Sequence, residues 1–301
     1  YVVLIQLFFI YFTLCFLLNR KNNLLVKISN IVVVLAIISL FFWINGTLLN
    51  IIKPSGKIII EWGRIQNINN YYNLYFEGSA NLLYFGLRGN TGIFVEAPMY
   101  NLHLCIALLT QLFVEKKISK FKIIILGVTI ISTASTTGLI VMSCIYIYWY
   151  FVKEPNNKRT FLFKISIGFT TFLAVIIAVY YFIQIKMGTS SYSSRLDDFR
   201  AGFLLWRQSP FWGVGYGDTF LLEMYKSGVR KNAPGFSNSL MVILSEGGVY
   251  FLVFYLMPLI FVFRKNLKEK TKDGLFFALM FVVMFIITIF PHTIMMLMFL
   301  A

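Results

Sequence analysis

Two arginines and two aspartates interrupt an otherwise apolar chain at Ser194–Trp206, SRLDDFRAGFLLW. Guanidinium groups are permanent planar cations that bind phosphate or carboxylate oxygens in pairs, so Arg195 and Arg200 are candidates to flank one anion. Five positions apart, they stand about 140° apart around a helix and do not share a face. The alternative for the same residues is a set of solvated ion pairs with Asp197 and Asp198, each worth under ~1 kcal/mol. Arg88 lies between Gly86 and Gly89, where the backbone can approach a ligand closely. Ser237 and Asn238 are alternative caps for a helix whose positive dipole end would face an anion. Glu246 falls about 12 Å along that helix. An acid at that depth in an apolar segment is either a functional group or a structural partner of an arginine. Glu96, Asp197 and His292 complete the candidate acids and bases, and Trp206 ends the apolar face beside the arginines. For His292 a capping or interfacial role is the alternative, and for His103 an interhelical hydrogen bond.

The chain that positions these groups has 301 residues, 58% hydrophobic and only 13% charged, with a mean hydropathy of +0.76. Runs of ~20 apolar residues are long enough to span a ~30 Å hydrocarbon core. They lie near 1–18, 28–52, 93–114, 121–134, 137–152, 161–185, 237–263 and 274–290. The pattern predicts an all-α, polytopic helical membrane protein with about eight transmembrane segments, forming one membrane domain over 1–301. The runs do not alternate, which excludes a β-barrel. The chain opens YVVLIQLFFI and closes TIMMLMFLA inside apolar stretches, which predicts a portion of a longer protein. Ser135–Gly138 reads as a turn between two short spans. Cys15, Cys105 and Cys144 all fall in apolar runs and read as small buried side chains.

The net charge of +15 is a topological signal. Well over half of the 27 lysines and arginines fall in alternate short loops, at Arg20–Lys27, Lys116–Lys122, Lys153–Lys164 and Arg264–Lys272. The positive-inside rule makes those loops cytoplasmic and gives no reason to expect a nucleic-acid partner. The segments 53–92 and 186–236 then form two large extracytoplasmic loops, which are usually functional at such lengths. In the second, an amphipathic helix is expected near 195–208. Ser194 and Asp197 form its capping box, Leu196, Phe199, Phe203, Leu204 and Trp206 its apolar face, and Pro210 with Gly213, Gly215 and Gly217 its stop. In the first, Tyr71, Tyr72, Tyr75 and Tyr84 read as a sugar-stacking surface or an interfacial belt.

Several of these segments, in order, resemble the O-antigen ligase and polymerase family of bacterial polysaccharide assembly. The similarity covers about 85–255. It runs through RGNTGIFVEAPMYN and LGVTIISTASTTGLIVM, and is strongest at SRLDDFRAGFLLWRQSPFWGVGYGDTF followed by FSNSLMVILSEGGVYF. Family ligases usually carry His where Ser237 stands and often an Arg where Thr136–Thr137 stands, so the polymerase branch is the better match.

The resemblance implies transfer of a growing glycan from a polyprenyl-diphosphate carrier onto a lipid-linked repeat unit, at the outer face of the plasma membrane. A capsular or O-antigen product is expected. Such a site needs no cofactor or metal if arginines stabilise the departing diphosphate. Arg195 and Arg88 are the first candidates with Arg200 supporting, and Glu246, Glu96, Asp197 or His292 is the base. Substrate contacts are expected from Arg200, Glu96, Asp197, Ser237, Asn238, His292 and Trp206. Expected partners are the polyprenyl-diphosphate-linked oligosaccharide, the bilayer, and chain-length-regulating and flippase proteins. The alternatives are ligase-type transfer to a lipid acceptor, and a transporter or flippase. Few ionisable residues lie in the spans, which disfavours transport.

Overall fold

The computed structural model describes Ile10, Leu14, residues 24–62, 64–78, 88–153, 190–217, 219–227, 235–288 and Thr293. The expected span at 161–185, nearly all of that at 1–18, and Tyr84 and His292 lie outside these residues. The chain divides into two compact units, one built mainly from 28–193 and the other mainly from 194–301.

In the first unit α1 (Leu24–Phe42) continues into a π-helical turn, Trp43–Leu48. It runs antiparallel to α2 (Ala97–Phe113), because Ser29 donates to the Ala107 carbonyl at 3.1 Å while Ser39 meets the Tyr100 hydroxyl at 2.8 Å. Helix α2 is buried around nearly its whole circumference, as expected of a helix without a polar face at the centre of a bundle. It packs against α3 (Lys120–Ser132) and α4 (Thr136–Lys153). These two are separate helices, joined by a turn in which Ala134 takes a left-handed conformation. Tyr146 reaches back to the Ile123 carbonyl across this hairpin.

One element of this unit departs from the all-α expectation. Residues 53–92 contain a three-stranded sheet of order β1-β2-β3, with β1 at Gly56–Trp62, β2 at Arg64–Tyr71 and β3 at Tyr75–Phe76. Strand β2 pairs antiparallel with β3, placing Tyr71 opposite Tyr75. Tyr72 and Asn73 turn the chain with positive φ, and the Asn70 side chain donates to Asn73 Oδ1 and accepts from the Asn73 backbone N–H. Tyr71 and Tyr75 are buried in a cluster with Phe42 at the end of α1. They are therefore core residues of the sheet and not a sugar-stacking surface, whereas Tyr72 is exposed.

The second unit holds α5 (Ser190–Trp206), the short α6 (Thr219–Met224), α7 (Ser239–Glu269) and α8 (Lys272–Ile287). Ala201 and Leu205 of α5, Leu222 of α6, Phe236 and Val242 form one of its core clusters. Helices α7 and α8 make an antiparallel hairpin. Lys270 adopts the left-handed cap conformation at one end, and the Ser239 hydroxyl binds the Thr288 carbonyl at 2.6 Å at the other. Among the described residues two helices are long and apolar enough to cross a membrane, Leu24–Leu48 and Ser239–Glu269. The structure is thus mostly helical, and the eight-span topology remains an expectation from the sequence.

Candidate functional site

Helix α5 begins at Ser190, a full turn before the expected Ser194 cap. Ser194 is therefore inside the helix, and Arg195 is not at its start. The expected capping box does not form, because the Asp197 carboxylate instead binds the backbone N–H and hydroxyl of Ser227, at 2.8 and 2.6 Å. Asp198 is completely buried, so it is not a member of a solvated ion-pair set. Its neighbours on the inward face are Ala201, Gly202 and Leu205. Leu196, Phe203 and Arg200 are exposed on the other side.

Arg195 is part-buried, and its Nη1 donates to the Ile287 carbonyl at 3.3 Å. Ser239 holds the next carbonyl, that of Thr288. The guanidinium and the start of α7 are therefore brought to successive peptide groups at the end of α8. A cation is favoured at the C-terminal end of α8, where unpaired carbonyls accumulate negative charge. Asn238 rather than Ser237 caps α7, its Oδ1 accepting from Met241 N at 2.8 Å. Among the described residues the remaining Asn238 amide nitrogen and the Ser237 hydroxyl are buried without a hydrogen-bond partner. The N-terminus of α7 and an arginine thus meet the end of α8, and two buried donors sit on the residues just before α7. That is the composition of an anion site.

About 14 Å along α7 the helix breaks. Gly248 adopts φ 61° and ψ −158° inside it, a region essentially closed to residues with a Cβ. The loop 209–217 fills the break. Val214 and Gly215 donate to the Ser245 and Glu246 carbonyls at 2.8 and 3.0 Å, and Pro210 and Phe211 accept from Val249 and Tyr250 at 2.9 and 3.2 Å. The loop thereby satisfies backbone groups that a continuous helix would have paired internally. A Cβ on Gly213 would stand 2.4 Å from Glu246 backbone atoms, and one on Gly248 2.4 Å from the Phe211 carbonyl. The glycines stop α5 as expected, and they also permit this close approach. The buried Glu246 carboxylate accepts from Gly217 N at 3.3 Å. Trp206 donates to the Pro210 carbonyl at 3.0 Å, so its indole N–H supports the same loop.

Arg88 belongs to the other unit. Its Nη1 lies 3.1 Å from Glu77 Oε2, and its side chain keeps 47% exposure, which leaves most of its donors open to a ligand. Glu77 is buried at the end of the sheet and also accepts from Asn69 at 2.5 Å. Trp43 donates to the Arg88 carbonyl at 2.8 Å. The following Asn90 ties the segment to the Ser/Thr turn, donating to Ser39 and Ser132 at 3.1 Å each. Burial first, and Glu77 second, push the Tyr71 hydroxyl above the usual tyrosine range, with Arg88 opposing. Burial does the same to Tyr75. Glu96 is the exposed residue preceding α2, where its carbonyl accepts from Tyr100 N at 3.2 Å. Among the described residues His103 bonds the Met99 carbonyl one turn back in its own helix, in place of the expected interhelical bond.

Residues 121–249 match the family model described as O-antigen ligase. This match, over less than half of the chain, supports an O-antigen ligase/polymerase family assignment for the segment. The matched segment takes in α3, α4, α5, the loop 209–217 and the first part of α7, ending just past the helix break. Arg195, Asn238 and Glu246 fall inside the O-antigen ligase match, while Arg88 and Glu77 precede it. No curated protein and no solved structure matches the chain.

Sequence reasoning missed Glu77 and Lys226, and read the buried Asp198 as solvated. The ammonium of Lys226 is buried, donates to the Gly235 carbonyl at 2.8 Å and lies 5.9 Å over the Phe236 ring. Nothing in the local pattern separates such buried charges from exposed ones in the same polar loops.

Proposed function

We propose that this protein is a polysaccharide polymerase. It transfers a growing glycan from a polyprenyl-diphosphate carrier onto a lipid-linked repeat unit at the outer face of the plasma membrane. The observation that carries the reading is the convergence of Arg195 with the N-terminus of α7, where Asn238 and Ser237 present uncommitted buried donors. In the reaction an acceptor hydroxyl oxygen bonds to the anomeric carbon of the donor. The carbon–oxygen bond to the diphosphate breaks, and the leaving group departs with the electron pair. Arg195 and the helix start stabilise the charge that builds there, with Arg200 supporting, and Arg88 is a separate candidate for substrate phosphate within its own unit. The hydroxyl proton passes to a carboxylate, for which the buried Glu246 is the candidate. Chain-length-regulating and flippase proteins are the partners this reading calls for.

Ligase-type transfer of finished glycan onto a lipid acceptor is the second reading, favoured by the description of the matching family. Incubation of purified protein with lipid-linked repeat units, followed by gel electrophoresis, separates the two. A ladder of products supports the polymerase, and a single jump that requires added lipid acceptor supports the ligase. Undiminished product from Arg195→Ala would remove the diphosphate role of Arg195.

A further inference from the structure

Burial along α7 changes abruptly at its break. The first two turns, Ser239–Glu246, are enclosed, with Ser239, Val242, Ile243, Leu244, Ser245 and Glu246 all buried. Beyond Gly248 the same helix turns large apolar side chains outward, among them Tyr250, Val253, Phe254 and Phe261. A helix long and apolar enough to cross a membrane, with bare apolar residues on its outer face, is suited to lipid there. The loop that fills the break carries three large rings within six residues. Phe211, Trp212 and Tyr216 are 69%, 72% and 72% exposed, far beyond what an aromatic needs to pack. These rings project from a backbone held at four points to α7, so their direction is set. The Trp212 ring lies 5.5 Å from that of Tyr250, which makes the loop continuous with the outward apolar face of the helix. Arg207, exposed just before the loop, adds a cation suited to lipid phosphate.

We infer that Phe211, Trp212 and Tyr216 form an interfacial wedge, seated in the boundary between headgroups and acyl chains of the bilayer beside the break in α7. Amphipathic rings are favoured at that boundary, where one side is apolar and the other wet. The Gly215 and Gly217 amides of the same loop hold the backbone and carboxylate of Glu246. The wedge therefore sets the level of Glu246 relative to the membrane. This inference depends on α7 crossing the bilayer and not on glycan transfer, so it stands or falls separately from the gel assay.

The test uses the full chain in vesicles of phosphatidylcholine and phosphatidylglycerol. The lipid carries bromine either near the headgroup or near the chain ends, and the Trp212 contribution is the difference between wild type and Trp212→Phe. Headgroup-proximal bromine is expected to quench that difference by about half or more, chain-end bromine less, and aqueous iodide little. Quenching by iodide but not by brominated lipid would overturn the wedge by placing the ring in water. Stronger quenching by chain-end bromine would overturn the interfacial level. Insensitivity to both would mean that protein covers the ring, and would overturn it equally. A matched Trp206→Phe sample shows that the component belongs to Trp212, since the Trp206 indole is tied to the Pro210 carbonyl.

Discussion

Gly248→Ala is the sharpest test of the break in α7. An alanine at φ 61° and ψ −158° is strained by about 1–3 kcal/mol. Its Cβ would also meet the Phe211 carbonyl at 2.4 Å, a backbone group that cannot rotate away. Separation of the two segments loses the hydrogen bonds from Val249 and Tyr250 to Pro210 and Phe211, about 1 kcal/mol each net. The expected destabilisation is about 3–5 kcal/mol. Gly215→Ala is the control, because Gly215 also has positive φ, at 121°, yet a Cβ there meets nothing within 4 Å. It carries strain alone, so Gly248→Ala should exceed it by about 2 kcal/mol, or at least about 4 °C in unfolding midpoint. Thermal unfolding of the solubilised protein, followed by intrinsic fluorescence, reads the difference. Gly213→Ala should behave like Gly248→Ala, since its Cβ meets Glu246 backbone from the other side. The double variant should be less destabilised than the sum, because both changes open one clasp. Equal midpoints for Gly248→Ala and Gly215→Ala, or strict additivity of the pair, would refute the reasoning.

Asn238→Ser keeps a competent cap and removes the amide donor. The unfolding midpoint should hold while glycan transfer drops about ten-fold or more, the worth of one hydrogen bond to a charged group; Asn238→Ala should lose about 1 kcal/mol of stability as well. Glu77→Gln should slow transfer with little change in substrate KM by leaving the Arg88 guanidinium unheld, and adding it to Arg88→Ala should cost nothing further in a rate assay. Tyr71 and Tyr75 titrate above the ordinary tyrosine value. Their contribution to stability is full below the unfolded value of about 10 and is lost as pH rises through the folded values, because the unfolded phenols ionise first. Phenolate absorbance and unfolding midpoints against pH check this, and Tyr75→Phe should flatten the alkaline fall.

Apolar periodicity, turn residues and capping residues act over a few positions, so their consequences were legible in the chain itself. The α3–α4 hairpin about its Ser/Thr turn, the Asn238 cap and a helix through Arg195–Trp206 stand where those local signals put them. The order of motifs likewise pointed to the O-antigen ligase and polymerase family. The start of α5 was misplaced because Ser194 and Asp197 carry a capping pattern, while Asp197 found a better donor set thirty residues away at Ser227. The sheet was overlooked because its alternation is carried by asparagine and tyrosine, whose polarity reads as loop until Tyr71 and Tyr75 are buried against Phe42. Only the tertiary structure could pair Arg88 with Glu77, seat Arg195 on the end of α8, and lay the loop 209–217 into α7. Each of these joins groups distant in sequence through backbone carbonyls or a single side chain. Such contacts leave no periodic trace along the chain, because close approach in space is decided by packing and not by spacing.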